Sequence, residues 1–175
     1  MKTVFFDIDT QIDFMFPAGA LYVPGAKRLV PVIAQLNRCA EIVVSTMCAH
    51  TENDPEFRQW PPHCIVGTIG QLKPQSTMRA TGQIILEKQQ LDLFTNPSLP
   101  KLLGELSADE YVVYGVVTEY CVKLAALGLL KTGKPVTLVT DAILSLRAED
   151  GESTLQAFTA AGGKLATSSK LLPIR

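Results

Sequence analysis

The sequence predicts an α/β protein built on a parallel β-sheet. Six short runs along the chain are apolar on consecutive positions, which is typical of strands buried on both faces. Between most of these runs, apolar residues recur at a spacing of three to four, which is typical of helices. Strands that alternate with helices favour a parallel sheet, because parallel neighbours need a crossover connection.

The predicted strands fall at intervals along the whole chain. They are residues 3–8, 41–46, 83–87, 110–117, 135–140 and 163–167. Most are rich in Val, Ile and aromatic residues, which fit a pleated, buried surface. The predicted helices are residues 26–39, 98–106, 119–132 and 148–161. In the first helix Pro31 is tolerated only near the first turn, because proline lacks the N–H that a helix interior needs.

Residues 47–82 interrupt this alternation. They contain four prolines and three glycines, and they are too long and too broken for a plain connection. Long ordered loops in compact domains are usually functional, so we expect functional residues in this segment.

Length and composition exclude several classes of protein. A chain of 175 residues has the length of one domain, and we expect a single domain over residues 1–175. Hydrophobic residues make up 47% of it, which supports a substantial core and excludes disorder as the main state. A net charge of −1 offers no basic surface for nucleic acid or anionic lipid. Because we find neither a membrane-spanning apolar segment nor a secretory signal, we expect a cytoplasmic protein.

Three aspartates lie around the end of the first predicted strand: Asp7, Asp9 and Asp13. In open α/β sheets, ligands bind beyond the carboxyl ends of the strands, which is where Asp9 is expected. The alternative is that Asp9 caps a turn, since Asp is common after strands. The run DIDT also resembles the opening of haloacid-dehalogenase phosphatases, so a metal-dependent phosphatase built on Asp7 and Asp9 is a second alternative.

A cysteine stands where a strand gives way to a helical pattern, in GVVTEYCV at residues 115–122. Thr118 is a natural N-cap, which would place Cys121 in the first helical turn. Unpaired N–H groups and the helix dipole lower the pKa of a thiol there and can hold an oxyanion. The alternative is a small, buried core cysteine. The other cysteines form no CxxC pair, and we expect free thiols.

Lys88 directly follows the predicted strand QIILE. At the same edge of the sheet as Asp9 and Cys121, its ammonium group would pair with the carboxylate and stabilise a thiolate. Considered by itself, a solvated lysine in a loop is the simpler interpretation.

The irregular segment contains a set of residues that suits a metal ion. Cys48, His50, Glu56 and His63 lie within it. His50 and His63 are the only histidines of the chain. Thiolate, imidazole and carboxylate groups together suit Zn²⁺ or Fe²⁺. The alternative is that both histidines form hydrogen bonds within the loop.

Several motifs in register resemble one known family. DTQIDF at 9–14 and PAGALYVPGA at 17–26 resemble the opening of the isochorismatase-like cysteine hydrolase family. WPPHC at 60–64 and VGTIG at 66–70 resemble its nicotinamidase-like branch, and residues 115–122 resemble its nucleophile motif. Lys88 falls where the lysine of the family falls. The match covers nearly the whole chain.

The resemblance implies a fold and a set of catalytic residues. The fold is a three-layer α/β/α arrangement with a doubly wound, six-stranded, mainly parallel sheet. Asp9, Lys88 and Cys121 form the implied catalytic triad. The peptide bond between Val116 and Val117 is cis in the family, and the N–H groups of Val117 and Cys121 form an oxyanion hole.

The resemblance also implies an activity. The expected reaction converts nicotinamide to nicotinate through a thioester on the cysteine, with release of ammonia. Phe14, Trp60 and Phe94 match positions that enclose the substrate ring. The alternatives are a related amidase that acts on ureido or carbamoyl substrates, and a non-catalytic binding member of the fold. Relatives are often oligomers, so a homo-oligomer is expected, with a small amide as the ligand.

A divalent metal is a further implication: zinc, iron or manganese, with Cys48, His50, Glu56 and His63 as ligands. The chain departs from the family here, because Cys48 occupies the position of the usual aspartate. Asp54 is an alternative to Glu56.

Overall fold

Six parallel strands form one sheet in the computed structural model, which describes residues 1–172. They are β1 (Thr3–Ile8), β2 (Ile42–Cys48), β3 (Gln83–Lys88), β4 (Glu110–Val116), β5 (Val136–Leu144) and β6 (Lys164–Ala166). The strand order is β3-β2-β1-β4-β5-β6, and every neighbouring pair is parallel. The predicted doubly wound α/β fold class is therefore confirmed. The single domain over residues 1–175 stays a prediction, and its last three residues lie outside the described part.

Five α-helices connect the strands in the described chain. They are α1 (Ile12–Met15), α2 (Val30–Cys39), α3 (Leu99–Leu106), α4 (Lys123–Leu130) and α5 (Ala148–Ala160). The predicted helix 26–39 begins as a 3₁₀ turn, Ala26–Leu29, because Pro31 occupies the first turn of α2. The short α1 was not predicted. No described helix has both the length and the apolar character that crossing a membrane requires.

The central strands form the core, as their continuous apolar runs predict. Five of the six residues of β1 are buried, and so are six of the seven residues of β4. The edge strand β3 is half-buried or exposed at four of its six positions. Strands covered on both faces need apolar residues at every position, whereas an edge strand does not.

The strand order reverses between β1 and β4, which places a crevice at the carboxyl ends of these two strands. Gly115 in β4 lies beside Ile8 of β1 and has a φ of +123°. A Cβ atom at this position would overlap the carbonyl oxygen of Ile8, so only glycine allows the two strands to approach. Asp9 leaves β1 at this crevice, and the turn that carries Cys121 leaves β4 there.

Candidate active site

A small, mainly apolar cavity of about 70 Å³ lies in this crevice. Asp9 and Cys121 lie in its wall, with the rings of Phe14, Trp60 and Tyr120 around them. The cavity is small, so it suits a small molecule rather than a polymer.

Asp9, Lys88 and Cys121 meet beside this cavity. The Nζ atom of Lys88 lies 2.9 Å from Asp9 Oδ2 and 3.6 Å from Cys121 Sγ, and it donates a hydrogen bond of 3.0 Å to the Gln90 carbonyl oxygen. The hydroxyl of Thr46 donates to Asp9 Oδ1 at 2.6 Å and accepts from the Asp9 N–H at 3.0 Å. Asp9 and Lys88 are almost fully buried, and Cys121 is 7% exposed. The structure thus brings together three residues that the sequence separates by up to 112 positions.

The proximity of these groups sets their charges. Burial alone would raise the pKa of Asp9, but the charge of Lys88 and the hydrogen bonds from Lys88, Thr46 and Cys121 hold it below its ordinary value. Burial would likewise lower the pKa of Lys88, but the carboxylate of Asp9 raises it well above its ordinary value. At neutral pH the pair therefore consists of a carboxylate and an ammonium group.

The Cys121 thiol differs from the sequence expectation. Burial raises its pKa well above the ordinary value, the Asp9 carboxylate adds to this, and Lys88 offsets only part of it. The regular helix α4 begins only at Lys123, so the expected effect of a helix N-terminus is weak here. The resting site therefore holds a protonated thiol next to a carboxylate that can accept its proton.

The turn that carries Cys121 is irregular. The Val116–Val117 peptide bond is cis, as the family resemblance implies. The segment Thr118–Val122 is a single wide turn, in which Tyr120 has non-helical dihedral angles of φ −116° and ψ −105°. The Thr118 side chain forms no cap, which corrects the predicted N-cap, because the chain bends at Tyr120 instead of continuing as a regular helix.

The aromatic wall also differs in part from the prediction. Phe14 and Trp60 line the cavity, but Phe94 does not. Phe94 lies in the turn Leu93–Thr95, and its ring packs on Gly128 of α4, where it lines a separate cavity. Tyr120 was missed, although its position next to Cys121 in the motif could have indicated it. Its ring meets that of Trp60 edge to face, with the ring centres 5.6 Å apart.

Cys48, His50 and His63 form a buried cluster next to the same cavity. Their ligand atoms all lie within 4.8 Å of one another. His63 Nδ1 donates to the carbonyl oxygen of Pro61 at 2.8 Å, which leaves Nε2 as the atom that faces the cluster. The side-chain amide of Gln11 binds both backbone polar groups of Cys48. It accepts a hydrogen bond from the Cys48 N–H at 2.7 Å and donates one to the Cys48 carbonyl oxygen at 2.8 Å.

Two carboxylates, those of Asp54 and Glu56, lie close to the histidines of this cluster. Asp54 lies behind His50, with Oδ2 3.0 Å from Nδ1, whereas Glu56 Oε1 lies 4.0 Å from His50 Nε2 and 3.7 Å from His63 Nε2. Glu56 is therefore the carboxylate that faces the cluster. His50 Nε2 is buried and has no hydrogen-bond partner among the described residues. One sulfur, two imidazole nitrogens and one carboxylate are a donor set that suits a tetrahedral metal ion, so these residues fit a divalent metal.

Comparison with known proteins identifies the family. The Isochorismatase domain family matches residues 3–170. The chain belongs to this family. It is 27% identical to a nicotinamidase of Acinetobacter baylyi over 168 residues, which covers 77% of this chain and 78% of the relative.

Two solved structures extend the comparison. A pyrazinamidase of Pyrococcus horikoshii in complex with zinc is similar with a TM-score of 0.88 and 30% identity, over 95% of this chain and 99% of that one. A protein of L. infantum in complex with nicotinate is similar with a TM-score of 0.88 and 26% identity, over 96% and 93% of the two chains. The family and branch that the motifs predicted are confirmed, and so is the assignment as a hydrolase.

Asp7 and Asp13, the other two aspartates near the end of β1, stabilise the fold of this isochorismatase-family hydrolase and do not line the cavity. Asp7 is fully buried and lies 3.2 Å from the Lys73 ammonium group. The two carboxylate oxygens of Asp13 accept the N–H groups of Ala20 and Cys64. Asp7 and Asp9 do not converge on one site, so the geometry does not favour the phosphatase alternative.

Proposed function

We propose that this hydrolase cleaves the amide bond of nicotinamide to form nicotinate and ammonia, with Cys121 as the nucleophile. The observation that carries the proposal is the buried contact of Asp9, Lys88 and Cys121 in the wall of a small, aromatic-lined cavity. The named activities of the relatives from Acinetobacter baylyi and Pyrococcus horikoshii support an amide substrate.

The first half of the reaction acylates the cysteine. Asp9 accepts the thiol proton of Cys121, and the sulfur attacks the carbonyl carbon of the amide. The N–H groups of Val117 and Cys121 stabilise the oxyanion that forms. Asp9 then donates the proton to the amide nitrogen, the carbon–nitrogen bond breaks, and ammonia leaves. The product of this half-reaction is a thioester on Cys121.

The second half restores the enzyme. Asp9 accepts a proton from water, the hydroxide attacks the thioester, and the carbon–sulfur bond breaks. The sulfur recovers its proton from Asp9, and the carboxylic acid leaves and gives its own proton to the released ammonia or to solvent. Lys88 keeps Asp9 ionised between the steps because its ammonium group holds the pKa of that carboxyl low.

The rings of Phe14, Trp60 and Tyr120 would enclose the flat ring of the substrate. Cys48, His50, His63 and Glu56 would hold a divalent cation, for which zinc is the best match to a site with one sulfur and two imidazoles. When bound, the ion would supply a Lewis acid next to the cavity. The homo-oligomeric state and the cytoplasmic location stay predictions.

The test is ammonia release from nicotinamide by the wild type, with zinc, iron(II) or manganese(II) added. Cys121→Ala should lower the rate by about 10⁴-fold or more, because the nucleophile is lost. The matched control is Cys39→Ala, since Cys39 is an exposed free thiol outside the cavity.

Turnover that survives in Cys121→Ala would refute the thiol mechanism. If the wild type releases ammonia only from ureido or carbamoyl amides, the nicotinamide assignment is wrong and the cysteine amidase stands.

A further inference from the structure

The mouth of the cavity includes one exposed apolar side chain. Leu146 lines the cavity together with Cys121 and is 44% exposed. The other described residues of the cavity wall are buried or half-buried. Leu146 therefore lies between the cavity and solvent. It belongs to a short segment between β5 and α5.

The carboxylate of Glu119 holds the backbone of this segment. Glu119 Oε1 accepts the N–H of Leu146 at 2.8 Å and the N–H of Arg147 at 3.3 Å. These two residues directly precede α5, whose N-cap has no side-chain hydrogen bond of its own. A carboxylate at the amino end of a helix is favourable because it meets the positive end of the dipole.

Glu119 also belongs to the nucleophile turn, Thr118–Val122, and lies two residues before Cys121. The same side chain thus connects the nucleophile turn to the mouth. Its second oxygen, Oε2, is buried and has no partner among the described residues, so the hydrogen bonds to residues 146 and 147 are those that the side chain makes in the described chain.

We propose that Glu119 is a positioning residue that holds Leu146 over the cavity mouth, and that Leu146 limits the size of the molecule that reaches Cys121. The limit admits a small ring with little substitution and excludes bulkier amides. The identity of the amide rests on the proposed function, but the size limit does not.

The experiment measures how fast Cys121 is alkylated by two reagents of different size. Iodoacetamide is small, and N-ethylmaleimide is a ring. Mass spectrometry of the Cys121 peptide gives each rate separately from the other thiols. The ratio of the two rates reports size selection, because a change in the pKa of the thiol acts on both reagents and largely cancels.

In Leu146→Ala the ratio of the N-ethylmaleimide rate to the iodoacetamide rate should rise by about tenfold, the equivalent of about 1.4 kcal/mol. Glu119→Ala should raise it similarly, whereas Glu119→Gln retains an acceptor oxygen and should restore most of the selection. The matched control is Leu165→Ala, since Leu165 is 43% exposed on β6 and lies outside the cavity wall.

An unchanged ratio in Leu146→Ala, or a rise in Glu119→Gln equal to that in Glu119→Ala, would overturn the proposal. If Glu119→Ala does not fold, Glu119→Ser supplies the same comparison.

A second readout uses amides. Leu146→Ala should raise kcat/KM for a ring-methylated nicotinamide relative to nicotinamide itself, and an unchanged relative value would speak against the size limit. If the wild type cleaves no amide, the proposed function fails, and the alkylation ratio still decides whether Leu146 limits access to Cys121.

Discussion

Replacing Lys88 by Met should expose the energetic role of the buried ion pair. Lys88 and Asp9 are each 1% exposed and lie 2.9 Å apart. Without the ammonium group, Asp9 retains the Thr46 hydroxyl at 2.6 Å and the Cys121 thiol as hydrogen-bond donors and is left as a buried carboxylate without a counter-charge. Breaking a buried pair in this way costs about 3–5 kcal/mol. Urea unfolding, followed by circular dichroism, should show this as a lower midpoint with an unchanged slope.

The double variant Asp9→Asn, Lys88→Met separates pairing from packing. Both charges are then absent, so the loss should be smaller than the sum of the two single losses by about 2–3 kcal/mol. Additive losses, or a single loss below about 1 kcal/mol, would refute the reasoning. Lys73→Met is the matched control, because Lys73 and Asp7 form a second buried pair at 3.2 Å outside the cavity. It should lower stability without changing the alkylation rate of Cys121 in the folded protein.

The difference in free energy of unfolding between the wild type and Lys88→Met should change with pH in a defined direction. In the wild type the pKa of Asp9 lies below its ordinary value of 3.8, so its stabilising contribution is present above that value and is lost as the pH falls through the lowered pKa. In Lys88→Met, burial without a counter-charge raises the pKa of Asp9. The resulting destabilisation is largest at neutral pH and shrinks as the pH falls through the raised pKa. The gap between the two proteins in free energy of unfolding should therefore narrow from about pH 7 to about pH 4, and a gap that widens would contradict the assignment.

Three further predictions concern the thiols and the glycine at the crevice. Because burial raises the pKa of Cys121, its alkylation rate with iodoacetamide should still increase at about pH 9, and a plateau below about pH 8 would show a preformed thiolate. Cobalt(II) should produce a thiolate-to-metal charge-transfer absorption that disappears in Cys48→Ser and persists in Cys39→Ser; a band that survives in Cys48→Ser would exclude Cys48 as a ligand. Gly115→Ala should destabilise the protein by about 3 kcal/mol or more, because its Cβ meets the neighbouring strand. Gly133→Ala, with a positive φ but open space around it, should cost only about 1–2 kcal/mol, and equal losses in urea unfolding would contradict the steric explanation.

The sequence determined the positions of the strands and the edge at which the candidate site lies. Each strand of a parallel sheet covered on both faces needs a continuous apolar run, and such a run is visible without the fold. Asp9, Lys88 and Cys121 each stand at or near the carboxyl end of a predicted strand. Because these ends meet at one edge of a parallel sheet, the three residues could be assigned to one site before any distance was known. The motifs around them were sufficient to recognise the family.

The tertiary structure alone decided how the side chains meet. The thiol of Cys121 has a raised pKa because the folded chain buries it, and no local pattern encodes that burial. Phe94 turns to α4 instead of the cavity because Gly128 leaves space for its ring. Glu119 reaches Leu146 across 27 positions of sequence. Contacts of this kind depend on the directions in which distant segments leave the sheet, so they became visible only when the strands were assembled.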